Sequence, residues 1–214
     1  MYNTSPIFPG RLRKNDDIFI RGASTEKSFV YTYEQQDIEI VHGPSYKADK
    51  EVFVDRCEAD GVKIVERRGG GGTVVLSPGV LIIIIVGDKK NERESALDIF
   101  GRVHDVIIGA LGKAGIDNVV RAGISDLAVD GKKILGSSLY MGSKPPLFYY
   151  QSSLMISNDL TLLDRYLYHP PKEPDYRQGR GHSQFCTNLK ELGYRVDIKA
   201  LSAQIESQLR DCLI

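Results

Sequence analysis

Two adjacent arginines run directly into four glycines in the segment Glu66-Arg67-Arg68-Gly69-Gly70-Gly71-Gly72-Thr73-Val74. Glycines allow positive φ angles and a close approach of the backbone to a ligand, and successive N–H groups in that conformation form a concave donor site for an anion. The guanidinium groups add fixed charge and forked donors for the same oxygens. A glycine run alone would be more typical of a flexible hairpin connection. With the arginines, the segment predicts a loop that binds phosphate or a polarised acyl oxygen.

Charge and composition restrict the kinds of partner. The chain has 214 residues, and its 28 Lys and Arg balance its 28 Asp and Glu, so the formal net charge is zero. This balance argues against a nucleic-acid-binding surface spread over the whole protein, while a local basic site remains open. The longest apolar run, Val80 to Val86, is far shorter than the roughly 18 residues of a membrane span, and residues 1–10 show no signal-peptide pattern. We therefore expect a cytoplasmic protein that binds neither nucleic acid nor a membrane.

The arginine–glycine loop must be positioned by the strands on either side of it. Val62 to Val65 and Thr73 to Leu76 have the composition of short strands, so the loop is predicted to join two strands. Val80 to Val86 lacks polar alternation, which predicts a strand covered on both faces at the centre of the sheet. Ser28 to Tyr33 and Asp37 to Val41 are predicted to form a hairpin.

The remaining elements follow from periodicity and turn chemistry. Apolar residues recur at helical spacing from Asn91 to about Gly115, which predicts a long helix packed on the sheet, and Val52 to Ala59 predicts a short one. Asp130-Gly131 is typical of a type I′ turn between two strands, Ile124 to Val129 and Lys133 to Tyr140. No segment has the composition of a linker, so one domain is expected.

A second segment, Ser125-Asp126-Leu127 followed by Asp130-Gly131-Lys132-Lys133-Ile134-Leu135-Gly136-Ser137-Ser138, completes a pattern with the loop. The pair resembles the lipoate-protein ligase family, within the biotin/lipoate protein ligase and octanoyltransferase superfamily. That family's first motif reads Arg-Arg-x-x-Gly-Gly-Gly-Thr/Ala-Val, or one residue shorter before the glycines, and its second has Asp-Leu/Ile followed by Gly-x-Lys-Ile/Val-x-Gly-Ser. Phe185-Cys186-Thr187-Asn188-Leu189 is similar to its Val-Thr-Asn-Leu segment. The resemblance spans roughly residues 28–195.

The resemblance implies an α/β fold of the α+β type: a mixed, largely antiparallel sheet flanked by helices, as in biotin and lipoate protein ligases. Residues 1–214 would form a single catalytic domain without a C-terminal accessory domain. Lys133 matches the family's essential lysine, whose ammonium can stabilise charge as an acyl-adenylate forms and reacts. Asp126 matches an aspartate near the nucleotide. The residues implied to bind the acyl-adenylate are Arg67, Arg68, Gly70, Gly71, Gly72, Thr73, Asp126, Gly136 and Ser137.

The activity that the resemblance implies is the attachment of lipoate or octanoate to a lysine of a lipoyl domain through an acyl-adenylate, with ATP and Mg²⁺. The implied acceptors are dehydrogenase E2 subunits and the glycine cleavage H protein, and a small accessory subunit is an open alternative. No metal-binding cluster of protein side chains is predicted, because Cys57, Cys186 and Cys212 are widely spaced and form no C-x-x-C pair.

The sequence also departs from the family. Where the family usually has His-Asp-x-Gly-Asn after the loop, this chain reads Leu76-Ser77-Pro78-Gly79-Val80, and Phe148-Tyr149-Tyr150-Gln151 stands where many members carry His-His-Gly. The family's N-terminal helix is not evident before Ser28. Two alternatives therefore stay open: an octanoyl or lipoyl transferase that uses a carrier-protein thioester, and a non-catalytic subunit that binds a lipoyl group or adenylate.

The transferase alternative would use a cysteine nucleophile, and Cys186 is a candidate for an acyl-enzyme, although a structural role is the preferred interpretation. The segment Asp175-Tyr176-Arg177-Gln178-Gly179-Arg180-Gly181-His182 lies just before it. This cluster of cations and glycines could close over a phosphate or dock an acidic surface, and it could equally be an ordinary basic loop.

Overall fold

The computed structural model of the protein describes residues 13–24, 29–91, 93–143 and 146–213. The helices are α1 (Asp16–Ala23), α2 (Ala48–Glu51), α3 (Val54–Asp60), α4 (Ala96–Lys113), α5 (Thr161–Tyr166), α6 (His182–Phe185) and α7 (Ile198–Leu213), with a 3₁₀ turn at Asp175–Arg177. The strands are β1 (Phe29–Glu34), β2 (Glu39–His42), β3 (Lys63–Glu66), β4 (Val74–Leu76), β5 (Val80–Asp88), β6 (Val120–Ala122), β7 (Asp126–Val129), β8 (Lys132–Met141) and β9 (Leu147–Met155). The expected α+β arrangement is present.

The larger sheet has six strands in the order β1-β5-β9-β8-β7-β6, and every neighbouring pair is antiparallel. Residues 80–87 of β5 are all buried, as the unbroken apolar run predicts. The prediction that this strand lies at the centre was wrong, because β5 is second from the edge and β9 and β8 occupy the middle. The buried faces of β9 and β8 are harder to recognise in sequence because they carry serines and tyrosines.

The smaller sheet has three strands in the order β3-β2-β4, with β2 parallel to β3 and antiparallel to β4. The predicted hairpin of residues 28–33 with 37–41 was therefore wrong, since β1 pairs with β5 and β2 belongs to this second sheet; Ser28 lies outside the described residues. Gln35 lies between the two strands, and its backbone N–H donates to the Val80 carbonyl at 2.9 Å. The chain thus passes from one sheet to the other. The Arg67–Thr73 loop joins β3 to β4, as predicted.

Helices α4 and α7 cover one face of the large sheet around the main hydrophobic core. Helix α4 begins at Ala96, later than the pattern predicts, because Ser95 and Asp98 form a capping box. Gly115, with φ of +78°, follows its end. None of the described helices is long and apolar enough to cross a membrane.

Helix α1 packs on the other face of the large sheet, and the sequence analysis did not predict it. Its Gly22 lies so close to β5 that an added Cβ would stand 2.6 Å from Val86 Cγ2 and 2.8 Å from Val86 Cβ. Phe19 of the same helix is buried and packs on Tyr149, with ring centroids 4.9 Å apart. The helix is therefore fixed against β5 and β9, which places the two residues just before it, Lys14 and Asn15, in the lining of the larger cavity described below.

We predict opposite effects for the same substitution in two helices. Gly22→Ala should lower the free energy of unfolding by roughly 2 kcal/mol, because its Cβ would overlap a packed valine. Gly112→Ala in α4 should raise it by about 0.5–1 kcal/mol, because this Cβ would meet no described atom within 4 Å and alanine favours helix. Urea unfolding of the three proteins tests this, and equal stabilities would contradict the close packing of α1.

Candidate active site

A cavity of about 740 Å³ lies between the large sheet, the small sheet and residues 170–177. A second cavity of about 100 Å³ adjoins it, and the two share lining residues that include Thr73, Lys133, Gly136 and Arg177. The sequence-predicted residues in the larger lining are Arg67, Gly71, Gly72, Thr73, Asp126, Lys133, Gly136 and Ser137. Cys186 lines the smaller cavity. Arg68 and Gly70 belong to the same loop but lie outside both linings as the described residues define them.

The Arg67 side chain holds the glycine loop in shape. Its Nη2 donates to the carbonyls of Gly70 and Gly72 at 3.0 and 2.8 Å, and its Nη1 donates to the Val41 carbonyl at 3.1 Å. Burial lowers the pKa of Arg67 to about 10, opposed by the Glu51 carboxylate. Glu51 also accepts a hydrogen bond from the Thr73 hydroxyl at 2.5 Å. The hydrogen bonds to the loop's own carbonyls therefore hold the Arg67 guanidinium against the glycine loop.

Arg68 points to α1 instead. Its Nε donates to Asp16 Oδ1 at 2.6 Å, and the two side chains are only 3% and 6% exposed. Its guanidinium also lies 4.6 Å from the Phe19 ring centroid. Breaking a buried ion pair of this kind costs about 3–5 kcal/mol, so the observed contacts give Arg68 a structural part in joining α1 to the loop.

The glycine loop fits where side chains would not. A Cβ at Gly69 would lie 2.8 Å from Ser138 Oγ and 3.0 Å from the Leu139 backbone nitrogen, both on β8. Gly71 has φ of +104°, a region that favours glycine. By contrast, a Cβ at Gly70 or Gly72 would meet no described atom within 4 Å. The loop is therefore pressed against β8 at one glycine and open to solvent or ligand at two others.

Lys133, on β8, forms an ion pair with Asp126 of the neighbouring strand β7. Its Nζ is 2.8 Å from Asp126 Oδ1, and a Cβ at Gly136 would stand 2.6 Å from the same ammonium. A β-bulge creates this geometry: Leu127 pairs with Leu135 and Ala128 with Lys133, which leaves Ile134 as the extra residue. Lys133 and Gly136 therefore share the cavity face, whereas in a regular strand they would point to opposite faces.

Tyr176 is a site residue that the sequence did not single out. Its hydroxyl donates to Asp126 Oδ2 at 2.8 Å, so both carboxylate oxygens have a partner. Burial, together with the nearby Asp126 charge, raises the pKa of Tyr176, which keeps the hydroxyl protonated as a donor. The contact holds residues 175–177 over the cavity, beside the Lys133–Asp126 pair. The sequence could not predict this contact, because Tyr176 and Asp126 are fifty residues apart in the chain.

A family model described as the lipoyl protein ligase A/B catalytic domain matches residues 16–210. The chain belongs to this family. The predicted family resemblance and the assignment to ligase- or transferase-type enzymes are confirmed. No protein of curated function matches the sequence.

Solved structures of the lipoate ligase type share the fold. The bi-partite lipoate protein ligase of Thermoplasma acidophilum, from a study that includes its E2 lipoyl domain, has a TM-score of 0.76 and 18% identity over 90% of this chain and 75% of that chain. Lipoate-protein ligase A bound with ATP has a TM-score of 0.72 and 21% identity over 88% of this chain and 73% of that chain. Plasmodium falciparum LipL1 in complex with lipoate has a TM-score of 0.69 and 17% identity over 86% of this chain and 49% of that chain. These similarities confirm the predicted lipoate/biotin ligase-like fold.

In this member of the lipoyl protein ligase A/B catalytic domain family, the Ser137 hydroxyl is engaged on the core side of β8. It donates to the Ser125 carbonyl at 2.6 Å and lies 3.1 Å from His104 Nε2 of α4. Because the hydroxyl proton is used on Ser125, the His104 ring donates through Nε2. This chain of contacts fixes the backbone just before Asp126.

Cys186 lies alongside the catalytic-lysine candidate, forming an isolated parallel bridge with Lys133. Burial raises the pKa of the Cys186 thiol, and the positive charges of Lys133 and Arg177 act against that rise. The raised pKa disfavours the thiolate that a nucleophile needs. Among the described residues, no group of three or more His, Cys, Asp or Glu side chains could hold a metal ion.

We predict a pH effect from the buried His104. Burial lowers its pKa to about 4, below the ordinary value of 6.5. Between these values the unfolded state binds a proton that the native state does not, so the free energy of unfolding should fall as pH drops from 6.5 to 4, by about 3 kcal/mol at most. His104→Gln should reduce this slope, with the remainder coming from groups such as His182, whose pKa burial also lowers, while the same change at the exposed His169 should leave most of the slope. Urea unfolding across this pH range provides the measurement, and equal slopes in all three proteins would refute the assignment.

Proposed function

We propose that this protein attaches lipoate or octanoate to a lysine of a lipoyl domain through an acyl-adenylate formed in the larger cavity. The observation that carries the proposal is the convergence of the two motifs on that cavity: the Arg67–Thr73 loop on one side and the Lys133–Asp126 pair on β8 on the other. These segments are far apart in sequence, and the fold brings them to one space that is large enough for a cofactor-sized ligand.

The arrangement suits a reaction that develops negative charge at a carboxyl group. Fixed donors in a cavity with few competing waters stabilise such charge more strongly than donors in bulk water. Lys133 would neutralise the oxyanion as the acyl carboxylate displaces pyrophosphate from ATP, and again as the acceptor amine displaces AMP. The glycine loop could offer backbone N–H groups to the ligand, and its surface is open at Gly70 and Gly72.

ATP with Mg²⁺ is the proposed source of activation, supported by the family and by the ATP-bound structure with the same fold. Mg²⁺ usually reaches such sites with the nucleotide phosphates and keeps several waters, so it needs few protein ligands. Asp126 is a carboxylate in the lining, but both its oxygens are bonded, to Lys133 and to Tyr176. It would have to release one of these partners to contact the ion.

For the acceptor we propose a lipoyl-domain protein, either a dehydrogenase E2 subunit or the glycine cleavage H protein, in the cytoplasm. The Thermoplasma acidophilum ligase with the same fold was studied with its E2 lipoyl domain and is bi-partite. A second subunit is therefore a component to include when this chain is assayed. Residues 1–214 would supply the catalytic domain.

Acyl transfer from a carrier-protein thioester is the second candidate, because Cys186 lines the smaller cavity together with Lys133. The thiolate would attack the thioester carbonyl, release the carrier thiol and pass the acyl group to the lysine amine. Because burial raises the pKa of the Cys186 thiol and so disfavours the thiolate, we rank this route second. Cys186→Ser should leave ATP-dependent modification nearly unchanged, whereas loss of activity and a trapped acyl-thiol in the wild type would favour the transferase. Ligand binding without turnover, even with partner proteins, would instead support a non-catalytic subunit.

Lys133→Ala should reduce ATP-dependent modification of a lipoyl domain by a factor on the order of a hundred or more, because the reaction loses its main charge-stabilising donor. Lys132→Ala is the matched control, since this neighbour on the same strand is exposed and outside the cavity lining. The assay is the intact mass of the lipoyl domain after incubation with enzyme, lipoate, ATP and Mg²⁺, with an ATP-free sample alongside. Undiminished activity in Lys133→Ala would sink the assignment.

Gly136→Ala should also reduce activity, on the order of a hundredfold, while the melting temperature changes little. The new Cβ would occupy the position of the Lys133 ammonium. The end of this flexible side chain can move aside at small cost in stability, but it would then no longer lie beside Asp126, where we expect it to act. Gly112→Ala, which adds the same methyl group in open space, serves as the control. If Gly136→Ala retained full activity, the observed Lys133 position would not matter to the reaction.

A further inference from the structure

Arg177 is almost completely enclosed where the two cavities meet. It is the last residue of the 3₁₀ turn at Asp175–Arg177, its exposure is 5%, and it lines both cavities. Lys133 is also shared by both linings. Two cations from distant parts of the chain therefore border the same space.

The Arg177 guanidinium is only partly satisfied by the protein. Its Nε donates to the Arg180 carbonyl at 2.9 Å, the Glu173 carboxylate lies 3.5 Å away, and the Phe185 ring centroid lies 4.8 Å from the guanidinium carbon. Its Nη2 is buried and has no hydrogen-bond partner among the described residues. A buried charged donor without an acceptor is costly, and such groups in native proteins usually have a function.

The surrounding contacts keep this donor at the cavity. Tyr176, the preceding residue, is bonded to Asp126, and Arg180 donates to the carbonyls of Tyr176 and Arg177 at 2.7 and 2.9 Å. These contacts hold the backbone at Tyr176 and Arg177, and turning the Arg177 side chain to solvent would break its own hydrogen bond from Nε to the Arg180 carbonyl. Burial lowers the pKa of Arg177, as expected of a cation whose nearby carboxylates compensate it incompletely. An incoming oxyanion would supply the missing acceptor and charge.

We propose that Arg177 is a ligand-binding residue whose Nη2 donates to an oxyanion of the activated carboxyl group, in the space that Lys133 also borders. The identity of the anion rests on the proposed function: it is either the acyl carboxylate or the phosphate of the nucleotide. Residues 175–182 thereby contribute a third cation to the site, after Arg67 and Lys133, and the interpretation of this segment as an ordinary basic loop is set aside.

Direct binding of single ligands tests the proposal without requiring turnover. Calorimetric titrations of wild type and Arg177→Gln with lipoate, with the neutral amide lipoamide and with ATP–Mg²⁺ separate the two anions. We expect a loss of affinity of about tenfold or more for one anion, corresponding to one charge-assisted hydrogen bond. Loss for ATP–Mg²⁺ identifies the phosphate. Loss for lipoate but not for lipoamide identifies the carboxylate. Arg195→Gln, the same change at an exposed site outside both linings, should bind like wild type.

Three results would overturn the proposal. Affinities of folded Arg177→Gln within about twofold of wild type for both anions would mean that water satisfies Nη2. Equal losses for lipoate and lipoamide would indicate a packing role only, and so would a wild type that binds neither anion. If Arg177→Gln does not fold, Arg177→Lys keeps the charge and removes the forked donors, and unchanged anion affinity in it would count equally against the proposal. A wild type that binds these ligands in an Arg177-dependent manner but never modifies a lipoyl domain would refute the proposed reaction and leave this inference standing.

Discussion

The cavity depends on a close contact between two backbones. At Gly69 the loop between β3 and β4 approaches β8 so closely that a Cβ would lie within about 3 Å of the Ser138 side chain and of the Leu139 backbone nitrogen. A second tight point lies at Gly43, where a Cβ would stand 2.6 Å from the Gly71 carbonyl. Backbone cannot move aside as the end of a side chain can, so a larger residue at Gly69 would push the loop away from β8, and one at Gly43 would displace the glycine loop from the end of β2. The glycine run therefore sets the distance between the loop and Lys133 as well as providing space for a ligand.

The charges around the cavity are compensated to different degrees. Arg68 has a buried carboxylate partner in Asp16, and Lys133 has one in Asp126. Arg67 is held mainly by carbonyl oxygens, which are dipoles and not full charges. Arg67 Nε and Arg177 Nη2 are buried and have no hydrogen-bond partner among the described residues. Burying a cation costs free energy that only an anion or strong dipoles recover. A site with more buried positive than negative charge is therefore more stable with an anionic ligand bound, which couples binding of the ligand to stability of the fold.

Sequence patterns predicted most of the individual elements, but they did not predict which distant segments contact each other. The Asp130-Gly131 turn was recognisable because both residues suit positive φ, and the structure gives +49° and +71°. The pairing of β1 with β5 was missed because a short polar connection is typical of a hairpin, whereas Gln35 here carries the chain between sheets. The bulge at Ile134 has no signature in a run of apolar residues, yet it decides which face Lys133 occupies. Tyr176 and Arg177 reach the site only through the fold, so their residue types alone could not decide between a loop that binds an anion or an acidic surface and an ordinary basic loop.

The departure from the family's usual His-Asp-x-Gly-Asn segment can be understood from the same packing. Gly79 has φ of +84°, and a Cβ there would lie 2.6 Å from the backbone nitrogen of Asn158, so the turn before β5 requires glycine whatever surrounds it. On either side of this turn, Leu76 contributes to the larger cavity lining and Val80 to the smaller. Both are buried in the hydrophobic cluster between the sheets. The apolar residues at these two positions would suit the aliphatic chain of the proposed acyl substrate, and its charged end would then be held by the glycine loop, Lys133 and Arg177.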